Sequence, residues 1–362
     1  MEIRSGTVTA LYLFDVAEQI DLAALRAILG GGASARLASK PSAPAYLQYQ
    51  TPPLVVEAEH TGVQTPEGFR TRFKFFDYGV ISVSLVQRFS GSWSELVSAS
   101  FHSIENSAFE AAAEAAVRAL VGRCSRALKN AHTDYLSEDY LVVAVHELEG
   151  LHSADDVVAS RGAAIAQMVR GEAAALSTQE QNEVLRNRLS YLADDLVVPT
   201  WNAAFVYDTE AGAAGVLELI EFGNSQLLEY RYYDRLLDAE LTHIYPALQR
   251  TSWWRNLFGG GAVAAANQLH SLFIDVNEIT DRTENTLKIA GDIYAARVFA
   301  LVGARLGLAR WKQTIEEKLE TLDDIYRFAV EQVTISRGQF LELTVVLILL
   351  LELVLFFLGV MR

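Results

Sequence analysis

The chain opens on strand-like patterning. Thr7 to Phe14 (TVTALYLF) is rich in β-branched and aromatic residues and predicts a strand. Asp21 stands where an N-cap belongs, before a short helix that ends at Gly30. Five of the seven prolines fall between Pro41 and Pro66, which marks irregular connections around edge segments such as Leu54 to Ala58. Phe69 to Val86 predicts one or two long strands, with Phe73, Phe75, Tyr78, Val80, Val83 and Leu85 as packing residues. Ser107-Ala-Phe-Glu110 has the spacing of a capping box, ahead of an Ala-rich helix to about Lys129. Tyr140 to Val145 is short and apolar enough for a buried strand. Ser153-Ala-Asp-Asp156 and Ser177-Thr-Gln-Glu180 open two more helices, and Trp201 to Tyr207 (WNAAFVY) reads as the last strand. Strands interspersed with helices in this order predict an α/β sandwich over residues 1–208.

After Asp208 the pattern turns helical. Ala211 to Leu241 carries Leu217, Ile220, Leu227, Leu228, Tyr232 and Leu236 with polar faces between, and Pro246 and Gly259 to Gly261 interrupt the region. A second helical block is predicted from about Val263 to Leu306. A third places apolar residues at Ile315, Leu319, Leu322, Tyr326, Ala329 and Val333, the 4-3 spacing of a coiled-coil seam that continues to Phe340 and Leu343. Residues 209–340 are therefore expected to form a helical hairpin or coiled-coil stalk.

Leu343 to Met361 is nineteen positions with a single charge, Glu352. As a helix it rises about 28 Å, close to the hydrocarbon thickness of a bilayer. The expected fold class is thus α+β: an N-terminal α/β sandwich, a helical stalk and one C-terminal transmembrane helix over 341–362. Met1 to Asp15 has no basic segment followed by an apolar run. The bulk of the chain is then expected in the cytosol or a matrix, held single-pass to an inner membrane with the bilayer as partner. Glu342 enters that span and Glu352 lies near its middle. A carboxylate there is costly unless it faces another helix, so the two predict contact between copies in a homo-oligomer.

Composition narrows the function. With 51% hydrophobic and 21% charged residues, the 362-residue chain is neither disordered nor fibrous, and its length allows two structural units. Its net charge of −15 argues against direct nucleic-acid binding. A lone cysteine, Cys124, excludes an intrachain disulfide and a thiolate zinc cage. Gly30 to Gly32 and Gly259 to Gly261 lack the residues that make a phosphate loop. The densest set of possible metal ligands is His146, Glu149 and His152, in HELEGLH, whose spacing is not His-Glu-x-x-His. No nucleophile elbow occurs. These features predict no enzyme and no cofactor, and the alternative is an enzyme of unknown reaction, metal-assisted at those three residues. Leu227 to Leu241 (LLEYRYYDRLLDAEL) combines tyrosines with paired charges; Glu229, Arg231 and Arg235 mark it as a candidate partner helix.

Three segments carry a family likeness: Phe76-Asp-Tyr-Gly-Val80; the helix from Leu228-Glu-Tyr-Arg231 to Arg235-Leu-Leu-Asp238; and Leu341-Glu342 followed ten residues on by Glu352 in an apolar stretch. In these the chain resembles the family called "required for meiotic nuclear division", also known as the YagE-type domain of unknown function. The likeness runs in order over residues 66–362. Ser82-Val-Ser84 stands where the family has a tryptophan, and residues 251–333 exceed its usual link, as in a divergent, bacterial-type relative. The resemblance implies an α/β domain on a helical stalk anchored to an inner membrane, with a role in supporting translation and hence a protein or ribosome partner. It brings no catalytic residues. The expected function is a membrane-anchored, self-associating scaffold or tether.

Overall fold

The computed structural model describes residues 2–30, 33–34, 51–105, 107–150, 152–249 and 293–357. The fold is α+β. In chain order the elements are β1 (Ile3–Ile20), α1 (Leu22–Leu29), β2 (Ala33–Ser34), β3 (Leu54–Glu57), β4 (Arg70–Phe75), β5 (Val80–Gly91), α2 (Trp93–Glu105) and α3 (Ser107–Cys124). There follow β6 (Leu128–Leu148), α4 (Ala154–Arg170), α5 (Thr178–Arg186), β7 (Leu196–Pro199), β8 (Ala203–Tyr207), α6 (Glu210–Gln249), α7 (Ile293–Leu306) and α8 (Leu308–Phe357).

The strands form one eight-stranded sheet in the order β2-β3-β4-β5-β1-β6-β8-β7. Its neighbours are antiparallel except β6 and β8, which are parallel. β1 lies between β5 and β6 and is buried on both faces, so its apolar residues are nearly continuous rather than alternating. Val8, Ala10, Tyr12, Phe14 and Val16 face the core shared with α1 to α5, beside Phe73, Val83, Val143 and Phe205. Leu11 and Leu13 face the opposite way, with Val142, Ala144, Val197, Ala204 and Val206, all buried. α6 lies over that second face, and α7 packs on α6 through Phe222 and Phe299, 5.6 Å between ring centres.

Local chemistry sets the ends of several elements. Asp21 Oδ1 accepts from the amides of Ala23 and Ala24 at 3.0 Å, as its N-cap position predicts. Ser153 and Asp156 close a reciprocal capping box on α4, and the Ser177 hydroxyl accepts from the Glu180 amide at the head of α5. Phe69 to Val86 resolves into two strands because Gly79, at φ +97°, turns the chain. A Cβ there would overlap the Ala17 carbonyl. α6 passes Pro246 without ending, whereas Gly31, Gly32 and Gly259 to Gly261 lie outside the described residues.

The chain divides into two compact units, Met1–Tyr232 with Arg282–Trp311, and Tyr233–Asp281 with Lys312–Arg362. The helical region expected from 209 onward therefore contributes to both, because the first part of α6 covers the sheet. In the second unit Ile315, Leu319 and Leu322 are buried at 0, 7 and 1% exposure, and Lys318 reaches both Asp234 and Asp238 at 2.6 Å. The seam positions Tyr326, Ala329, Val333, Phe340 and Leu343 have no described side chains.

The expected transmembrane helix, and with it the single-pass inner-membrane location, is corrected. Among the described residues no helix is long and apolar enough to cross a membrane. The predicted span is the end of α8, a continuous 50-residue helix whose earlier turns are charged. The bilayer as a partner rested on that span.

Candidate functional site: a polar seam under the long helix

The sheet face beneath α6 is not uniformly apolar. On β4 and β5 the residues of that parity are Arg72, Lys74, Ser82 and Ser84, with Arg72 opposite Ser84 and Lys74 opposite Ser82. Strand alternation brings four polar side chains into one patch. α6 supplies the matching stripe at Glu218, Glu221, Ser225, Glu229 and Tyr232, steps of three and four that share one helix face.

Lys74 Nζ donates to Glu221 Oε2, and the two side chains are 1 and 0% exposed. Glu218 stands 3.9 Å from the same ammonium at 24% exposure, forming the rim, and the Phe76 ring lies 5.9 Å away. Burial pushes the Glu221 carboxyl up. The charges of Lys74 and Arg72, with hydrogen bonding from Lys74 and Ser82, outweigh it and hold Glu221 below the usual glutamate value. Ser82 lies within reach of Glu221 but lacks a well-aligned bond, and Glu221 Oε1, Ser84 Oγ and Arg72 Nε have no partner among the described residues. This buried pair is not fully satisfied, so its energetic worth depends on keeping both members.

Further along α6, Ser225 Oγ is 2.7 Å from the Tyr78 hydroxyl, and burial raises the Tyr78 phenol well above its ordinary value. Arg231 pairs with Glu138 and donates to the Ser137 carbonyl at 3.3 Å. His132 Nε2 lies 3.3 Å from the buried Asp15 Oδ1, and its ring packs on Tyr232 at 4.9 Å. A bulge makes this contact. Asp15 pairs with Leu136 and Ala17 with Ala131, so β6 residues 132–135 oppose one residue of β1. Asn130 enters the bulge at φ +50° and bonds Glu18 at 2.6 Å.

The predicted partner helix is thus largely turned inward. Glu229 is 3% exposed and Arg231 is engaged by Glu138, while Arg235 is exposed. The predicted metal ligands are separately engaged. His146 Nε2 faces Thr7 Oγ1 at 3.3 Å and its Nδ1 the Asp208 carbonyl at 3.4 Å, with burial lowering its pKa. His152 Nε2 is 2.9 Å from the Glu149 carbonyl, and the Glu149 side chain is exposed. Among the described residues no three His, Cys, Asp or Glu side chains come together in a way that could hold a metal ion. Cys124 is buried at 2% exposure, and burial raises its thiol. Glu342 and Glu352 are exposed on α8.

Sequence reasoning missed Lys74, Ser82, Ser84, Glu221, Asp15 and His132. The alternation in RTRFKF reads as a solvated strand face. Its signal was the polar stripe of equal length on α6, which could cover it.

No solved structure matches the chain. An uncharacterized protein of Methanocaldococcus jannaschii, MJ0711, is similar at 24% identity over 228 residues, covering 63% of this chain and 68% of that one. The domain family described as "Uncharacterized protein MJ0711, N-terminal domain" matches residues 5–214, a stretch that holds β1 from its third residue, the other seven strands and the start of α6. The chain belongs to that family.

Proposed function

We propose that the protein is a self-associating scaffold, in which the α/β unit presents a surface to a protein partner and α8 joins copies of the chain. The observation that supports this reading is a run of exposed apolar residues on α8: Val345 to Leu351 and Leu353 are each more than half exposed. Water disfavours so continuous an apolar surface, and contiguous patches of this kind mark interaction sites. The likeness to the "required for meiotic nuclear division" family adds the translation machinery as the candidate partner. Its support is the pair of segments Phe76 to Val80 and Leu228 to Asp238, the first forming the turn between β4 and β5 and the second lying on α6. Its third segment, at Leu341-Glu342 and Glu352, lies on the corrected span of α8 and adds no support.

Two copies carrying different affinity tags, co-expressed at full length, test the self-association. Capture of one tag should bring down the other, and Leu347→Glu/Leu351→Glu should abolish it. Failure of the unaltered copies to co-purify refutes the scaffold. Crosslinking before capture tests the partner: near-stoichiometric ribosomal proteins support the translation link, and their absence removes it.

A further inference from the structure

We infer that α8 joins three or more copies of the chain rather than two, an inference that rests on the self-association proposed above. The buried positions Ile315, Leu319 and Leu322 fix a heptad frame, with Leu319 at a and Ile315 and Leu322 at d. Carried forward, the frame puts Leu347 at a and Leu350 at d. A two-stranded seam buries those two positions and leaves the others to water, with charged residues favoured at e and g.

α8 departs from that pattern. Val346 and Leu353 fall at g and Leu351 at e, and Val345, Ile348 and Leu349 occupy f, b and c. Every residue from Val345 to Leu351 is more than half exposed, whatever its place in the frame. Seven consecutive residues at about 100° each pass around the helix almost twice. No side of this stretch is covered among the described residues, in contrast to the turns at Ile315 to Leu322, where buried and exposed positions alternate every three or four residues.

The five side chains at a, d, e and g (Val346, Leu347, Leu350, Leu351 and Leu353), each more than half exposed, present on the order of 500 Å² per copy, less than the roughly 800 Å² each partner brings to a standard two-body interface. One neighbouring helix covers only the a and d stripe. Covering e and g as well requires a neighbour on each side, which first occurs in a three-helix bundle. Glu352 falls at f, away from the seam, where its carboxylate stays in water. Copies that each carry −15 repel at long range, so assembly should tighten as salt is raised.

Light scattering on the full-length protein, in detergent-free buffer at several salt concentrations, tests this. A defined mass of three or more times 39.9 kDa is expected. Val346→Glu/Leu351→Glu, which spares the a and d positions, should return the protein to lower mass with the thermal transition of the sandwich unchanged. A defined mass of twice the chain, or an unaltered mass for that variant, overturns the higher-order bundle and leaves self-association standing. A single-copy mass at every concentration overturns both readings. So does recovery of single copies on phosphatidylcholine vesicles, and a polydisperse mass that rises without plateau overturns the bundle.

Discussion

Removing one member of the Lys74–Glu221 pair should be among the most damaging changes available to the sheet face. Lys74→Met keeps the length and apolar stem of the side chain and deletes only the ammonium. It leaves Glu221 fully buried, with Oε1 lacking a bond among the described residues, the Arg72 charge nearby and a single misaligned hydroxyl at Ser82. Breaking a buried pair in this way costs about 3–5 kcal/mol, against a total stability of roughly 5–15 kcal/mol for a folded domain. For a unit of this size that lowers Tm by roughly 10 °C. Glu221→Leu should cost less, because Glu218 stands 3.9 Å from the ammonium and offers a second, partly exposed carboxylate.

The pH dependence separates this mechanism from a packing defect. With Lys74 present, the Glu221 carboxyl is held below the unfolded value, so its contribution is complete above about pH 4.5 and is lost as pH falls through the folded value. With Lys74 removed, burial dominates and the carboxyl moves upward. The deficit of Lys74→Met should therefore be greatest at neutral pH and shrink on acidification, as Glu221 takes up a proton. Urea unfolding of the full chain, followed by circular dichroism from pH 7.5 to pH 5, measures both effects. A deficit below about 1 kcal/mol at pH 7.5, or one that grows toward pH 5, would falsify the ion-pair account.

Two further outcomes follow from single residues. Gly79→Ala combines a positive φ with a collision on the Ala17 carbonyl, so it should cost at least about 2 kcal/mol and cut the soluble yield; a wild-type transition would contradict the turn geometry. Burial lowers the His146 pKa, so the folded state resists a proton that the unfolded chain accepts near pH 6.5. Wild-type stability should therefore fall relative to His146→Gln between pH 7 and pH 5, and a gap between the two that does not change with pH would remove His146 from the acid response.

What could be read from the sequence was local. Asp21, Ser153 and Ser177 cap helices because their side chains reach amides two or three residues away, and no distant contact changes that. β6 was legible only between Tyr140 and Val145. Its first half, KNAHTDYLSED, is polar, and it is a strand because β1 offers it a partner as far as Ile20. The same pairing ends the Ala-rich helix at Cys124 rather than near Lys129, since Leu128 and Lys129 pair with Ile20 and Gln19. β7 is four residues ending in Pro199, too short for a pattern. The seam was hidden for a related reason: Arg72, Lys74, Ser82 and Ser84 have the composition of a wet face, and only α6, more than 130 residues away, covers it. At the other end, the apolar character of α8 was plain. Apolarity alone does not name what covers it.

The polar seam also bears on why a long helix should be held by costly groups when apolar ones would stabilise it as well. Against Leu11, Leu13, Val142 and Ala144 alone, α6 could slip by one turn, about 5.4 Å, and still bury leucines. The polar contacts forbid that. Glu221 meets Lys74, Ser225 meets Tyr78 and Arg231 meets Glu138, three contacts spaced four and six residues apart along one helix. A slip breaks all three, putting Glu218 or Ser225 opposite Lys74 in place of Glu221. If the seam sets register rather than stability, Lys74→Met/Glu221→Leu should recover most of the stability lost in Lys74→Met, because paired apolar replacement of a buried ion pair is often neutral or stabilising. It should nonetheless speed amide exchange in α6 from Glu221 to Tyr232 by tenfold or more, about 1.4 kcal/mol of local opening, at an unchanged midpoint of global unfolding. Wild-type protection across those turns in the stable double variant would show that the leucines alone fix the helix.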